Sequence, residues 1–138
     1  MKTMKITISI KHALLPAAVL AFLNSAGAAD IDAGKSVFVH RCAACHAVGP
    51  SARAGFAPQL NDIVGRRAGS TAGFTYSAAM KKSGIVWSEK NLASFVKGPG
   101  DVVPGTSMRF WGIGDEQKVA NLVAYLQTFK QGGPTPAR

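Results

Sequence analysis

The only two cysteines of the chain stand as Cys42-Ala43-Ala44-Cys45, and His46 follows directly. Two thiols at this spacing near a helix end can each add to one vinyl group of a porphyrin edge. The next residue then lies over the iron, where an imidazole nitrogen can bind it. Other chemistries fit less well. A Cys42–Cys45 disulfide closes so small a loop that it constrains the unfolded chain very little. A thioredoxin-like pair needs a βαβ setting, and none is visible. Zinc needs four well-spread ligands, whereas His40, Cys42, Cys45 and His46 crowd together with no second pair downstream. A cupredoxin site needs Cys, His and Met close together on a β-sandwich. The motif therefore predicts one covalently attached haem c, with Cys42 and Cys45 as thioether positions and His46 as an axial iron ligand. His40 faces away from the motif by helical spacing and reads as a surface histidine.

The opposite axial face needs a ligand from farther along the chain. Beyond the leader discussed below, no His or Cys follows His46, and the methionines are Met80 and Met108. Met108 lies in "VPGTSMRF", a loop stiffened by Pro104 and Gly105 and followed by Phe110 and Trp111. Such a loop can present one thioether to iron permanently. Met80 falls on a short predicted helix, where methionine serves as core filler.

The elements that must position these groups begin after a leader. Lys2, Lys5 and Lys11 precede the apolar run "ALLPAAVLAFL", and small residues "AGAAD" follow. This is a charged region, an apolar region and a small-residue cleavage site, the pattern of an export signal. The run is shorter than the ~20 apolar residues that span a bilayer. The domain division is thus 1–29 as a removed leader and 30–138 as one domain, with a periplasmic location and no transmembrane segment in the mature form. Loss of the three leader lysines takes the formal charge from +9 to +6. No long Lys/Arg block appears, which leaves nucleic-acid binding without support. A dispersed positive surface suits a transient acidic protein partner.

Within the mature part, 30–42 reads as a helix with Asp30 or Asp32 as cap. The stretch 47–67 holds Gly49, Pro50, Gly55, Pro58 and Gly65 and reads as loop. A short helix spans 75–82 and closes at Gly84. Ser88 caps another, which must stop before Pro99. The stretch 98–114 reads as a long Gly/Pro-rich loop. Asp115 begins the last helix, which carries Val119, Leu122, Val123 and Leu126 on one face and ends at Gly132-Gly133-Pro134. No strand is predicted. The class is all-α, with loops too extensive for a self-sufficient bundle of this size, so a large group inside must hold them.

In this order "AGKSVFVHRCAACH", "GRRAG", "GFTYSAAMKKSGIVW", "VPGTSM" and "NLVAYL" resemble a class I cytochrome c, most similar to mitochondrial cytochrome c and its soluble bacterial relatives. The resemblance covers nearly all of the mature chain. It implies helices wrapped around one haem with long loops. It implies that the Pro58 carbonyl accepts the His46 ring N–H, and that Arg66, Tyr76 and Trp87 hold the haem propionates. It implies that Thr106 stays beside the Met108 ligand, and that Gly34, Phe38, Leu122 and Tyr125 pack the first helix across the last. The chain departs from the family at Phe95, where a tyrosine is usual, at Met80, where an asparagine is usual, and at Gly100, Asp101 and Ser107, where lysines ring the haem edge in mitochondrial proteins.

The function expected is a one-electron carrier of an exported respiratory or photosynthetic chain, with no enzymatic activity. A haem enzyme or gas sensor needs an open distal face and an acid–base group there, and the Met108 loop offers neither His nor Glu. A haem subunit of a larger dehydrogenase would use the same domain. The expected partner is an acidic redox protein docking at the exposed haem edge near Arg41, with Arg53 and Lys35 in the same positive patch.

Overall fold

The computed structural model describes residues 27–130. Residues 1–26 of the predicted leader and the predicted helix stop at Gly132-Gly133-Pro134 lie outside the described residues. Five helices form: α1 (Ile31–Arg41), α2 (Ala78–Lys82), α3 (Glu89–Lys97), α4 (Pro99–Val102) and α5 (Glu116–Gln127).

Side chains set most of the starts. Asp30 caps α1 by accepting the N–H groups of Asp32 and Ala33 at 2.9 and 3.0 Å. Asp115 caps α5 by accepting from the Lys118 N–H at 2.9 Å. Ser88 and Asn91 form a reciprocal capping box on α3, with Ser88 Oγ accepting from Asn91 N–H at 3.2 Å and Asn91 Oδ1 from Ser88 N–H at 2.7 Å. Gly98 and Pro99 end α3 as predicted. Pro99 then opens α4, a single turn inside the stretch read as loop. Proline suits the first helical position because its missing N–H has no intrahelical partner there. α2 starts later than predicted, because Ser77 stays extended and its hydroxyl accepts from Met80 N–H.

α1 crosses α5 at Gly34. A Cβ built on Gly34 would stand 2.0 Å from the Asn121 carbonyl oxygen and 2.9 Å from Tyr125 Cβ. Only glycine lets the two backbones come this close. Phe38 packs on Tyr125 with ring centroids 5.6 Å apart. Asn121, the buried polar residue beside this crossing, accepts through Oδ1 from Asp30 N–H and Gln117 Nε2, both at 2.9 Å. Leu122 and Val119 are the most deeply buried side chains. α3 also packs on α5.

Among the described residues no strand forms; one isolated antiparallel bridge joins Arg67 and Val86. Around it Gly65 N–H donates to Trp87 O at 2.7 Å, Trp87 N–H to Arg66 O at 2.9 Å and Ala68 N–H to Ile85 O at 2.8 Å. This pairing brings Arg66 beside Trp87. The loop 47–67 is braced by Asn61, whose amide exchanges two 2.8 Å hydrogen bonds with the Gly49 backbone, and by Leu60 N–H donating to Ala47 O at 2.9 Å. No helix of the described residues is long and apolar enough to cross a membrane.

Candidate haem site

The attachment motif sits at the end of α1, where Cys42 is the C-cap. The chain turns there: Cys45 N–H and His46 N–H both donate to Cys42 O, at 3.0 and 2.8 Å. One tight turn therefore carries both thiols and the imidazole. His46 Nδ1 lies 2.8 Å from Pro58 O. A carbonyl only accepts, so Nδ1 carries the proton and Nε2 keeps its lone pair for a metal. Burial lowers the His46 pKa below the ordinary histidine value, and the Pro58 hydrogen bond opposes that shift. The ring is thus neutral at neutral pH, the form that ligates. Burial pushes the half-buried Cys42 thiol up to about 11, against the pull of Arg41. His40 is exposed and outside this cleft, as predicted.

These residues line one cleft of about 400 Å³, within the ~300–1,000 Å³ usual for cofactor sites. Every residue that the sequence assigned to haem binding lines it: Cys42, Cys45, His46 and Pro58, then Arg66, Tyr76 and Trp87 at its polar end, then Thr106 and Met108. They come from segments far apart in the chain. Ile63, Leu92, Phe95, Val96, Leu122 and Leu126 supply an apolar lining.

At the polar end Arg66 is held by backbone. Its guanidinium donates to Asn61 O at 2.9 Å and Gln59 O at 2.8 Å. Burial lowers its pKa, while Tyr76 and Asp62 oppose the shift. Trp87 is buried and packs on Phe95 at 4.9 Å between centroids. Tyr76 stands edge-on to Phe74 at 4.8 Å. On the loop that carries Met108, Thr106 N–H donates to Val103 O at 2.9 Å, and Met108 N–H donates to Thr106 Oγ1 at 3.3 Å. Gly105 turns the chain there with φ +85°. Met108 is half-buried and packs against the core.

The donor set and cleft shape fit a covalently held porphyrin. The lining offers two thiols, a neutral imidazole and a thioether. Apolar walls face the space between, and a guanidinium, a phenol and an indole gather at one end, where carboxylates can be bound. Zinc finds no such fit: among the described residues no three or more His, Cys, Asp or Glu side chains gather to hold a metal ion.

The comparisons with known proteins agree. The family model for cytochrome c matches residues 31–130. The chain belongs to the cytochrome c family. It is 45% identical over 106 residues to cytochrome c2 of Rhodoblastus acidophilus, covering 77% of this chain and 98% of the relative. It is 40% identical over 109 residues to cytochrome c-550 of Nitrobacter winogradskyi, covering 79% and 99%. With cytochrome c of Cannabis sativa the identity is 38% over 107 residues, covering 78% and 96%. Among solved structures it is similar to cytochrome cH from Methylobacterium extorquens, with a TM-score of 0.67 and 40% identity over 72% of this chain and 98% of that one. The fold is that of a class I cytochrome c, as predicted. Cytochromes c carry one covalent haem c, and Cys42 and Cys45 fit the attachment motif. The chain is a haem c electron-transfer protein, and redox proteins are its partners.

Sequence reasoning missed several cleft residues. Phe56, Phe74 and Arg109 line the cleft from loops that give no periodic signal. Met80 is buried, as core filler should be, yet it also lines the cleft. Of the basic residues proposed for docking, Arg41 lines the cleft and is exposed. Arg53 and Lys35 are exposed but outside the lining. Arg109 adds a positive charge on the Met108 side.

Proposed function

We propose that the chain is an exported one-electron carrier and not an enzyme, with haem c attached through Cys42 and Cys45 and held between His46 and Met108. The observation that carries this reading is that both cysteines, His46 and Met108, from segments far apart in the chain, line one and the same cleft. The haem supplies reversible one-electron exchange at its iron. The protein's part would be to hold the iron through His46 and Met108, so that little moves on transfer. Pro58 O fixes the His46 ring through Nδ1. Thr106 tethers the Met108 backbone. Arg66, Tyr76 and Trp87 take the propionate end, where the Arg66 guanidinium, already anchored on two carbonyls, has further N–H donors to offer. The cleft lining includes no carboxylate and no histidine besides His46, which speaks for a carrier and against acid–base chemistry.

Residues 1–29 act as a leader removed on export, so that 30–138 work in the periplasm of a respiratory or photosynthetic chain. Partners dock near Arg41, at the mouth of the cleft. Mass spectrometry of the exported protein under denaturing conditions tests attachment and processing together. The mass should correspond to a chain beginning near Asp30 plus one haem, with neither cysteine open to a thiol reagent. Two reactive cysteines in the exported protein would overturn the attachment.

A further inference from the structure

Trp111 is fully exposed, at 100% of the accessible surface a tryptophan can show. Tryptophan is highly buried on average, so this position runs against the residue's nature. Phe56 is also largely exposed, at 86%, but it lines the haem cleft. Trp111 does not line it, so its exposure belongs to the outer surface and not to the cofactor's place.

The segment beneath it is clamped. Phe110 on one side packs against the core. Ile113 on the other is buried, and its N–H donates to Val96 O at 3.0 Å. Between them Gly112 runs so close to α3 that a Cβ there would stand 1.9 Å from Lys97 O, and its φ of +90° suits glycine alone. Arg41 ties the segment to α1: its guanidinium donates to Gly112 O at 3.3 Å and lies 5.6 Å from the Phe110 ring centroid. An indole on so rigid a base loses little conformational freedom when it is covered.

Arg41 and Arg109 are both exposed at the mouth of the cleft. The nearby acids Asp115 and Glu116 pair with lysines of their own, Lys118 and Lys97.

We infer that Trp111 is the apolar anchor of the docking face, seated in an apolar depression of an acidic redox partner while Arg41 and Arg109 meet its acidic rim. This rests on the reading that partners dock near Arg41, and it divides the work there. The arginines steer encounter through the field and lose their effect with salt. Trp111 holds the complex by excluding water, which salt does not screen.

The test uses washed membranes of the source organism, lacking this protein, and haem-loaded wild type, W111A, W111F and R41E. Electron exchange with the membranes is followed from low salt to about 0.5 M, where the screening length falls to ~4 Å. R41E should slow exchange at low salt and flatten its salt dependence. W111A should raise KM about tenfold or more at every salt concentration, with kcat, spectrum and potential as in wild type, and W111F should recover most of the loss. If R41E acts and W111A matches wild type at high salt, the anchor is wrong and the docking reading stands. If R41E has no effect at any salt, docking near Arg41 fails, whatever W111A does. If sedimentation shows a dimer of the free protein that W111A abolishes, the indole's occupant is a second copy of this chain, and the inference is overturned.

Discussion

The His46 ring donates one proton and keeps one lone pair, and the 2.8 Å contact from Nδ1 to Pro58 O decides which nitrogen does which. Two thioethers line the same cleft, Met108 on a tethered loop and Met80 on α2. If Met108 is the ligand, Met108→Ala should leave haem attached, abolish the far-red Fe–S(Met) band of the oxidised protein, lower the potential and admit imidazole readily. A thioether favours ferrous iron, so its loss must move the potential down. Met80→Ala should keep the band and cost about 2–5 kcal/mol of stability as a core truncation, seen in chemical denaturation. The reverse pattern would transfer the ligand role to Met80. Arg66 serves the fold as well as the haem. Arg66→Met strips the carbonyls of Gln59 and Asn61 of their donors and should cost about 1–3 kcal/mol, measured the same way.

The α1–α5 crossing depends on one missing methyl group. Gly34→Ala would force a Cβ to within 2.0 Å of the Asn121 carbonyl oxygen, and neither helix backbone can yield locally. About 3 kcal/mol or more should be lost in chemical denaturation. Gly100→Ala is the control: nothing stands within 4 Å of its added Cβ and its φ is ordinary, so stability should hold or rise slightly. Gly34 was legible through the family resemblance, and so were the helix caps Asp30, Ser88 and Asp115, because caps and periodic faces are local features. α4 was not, because Pro99 and Gly100 signal a loop even where proline opens a turn. The cleft lining was legible only where a motif marked it. Cys42, Cys45 and His46 announce themselves by spacing, and Met108 by its stiff loop. Arg109 and Phe56 become cleft residues only when distant loops fold against each other. The Gln59 and Asn61 carbonyls that hold Arg66 were equally hidden, since any residue can offer a carbonyl.

At the scale of the whole molecule, a small chain with extensive loops closes around one apolar cleft with a basic mouth. The charge of +6 over residues 30–138 raises encounter rates with acidic partners without tightening the complex, which suits a carrier that must leave again. The central claim is that the cleft holds one haem c with both axial sites closed by the protein, so that the molecule exchanges one electron and does no chemistry on a substrate. An optical redox titration of the mature, haem-loaded protein, with carbon monoxide added to the reduced form, tests it directly. The account predicts one reversible one-electron transition at a positive potential, a far-red Fe–S(Met) band when oxidised, and no spectral change with carbon monoxide. A reduced form that takes up carbon monoxide readily, or an oxidised form without the far-red band, would contradict it.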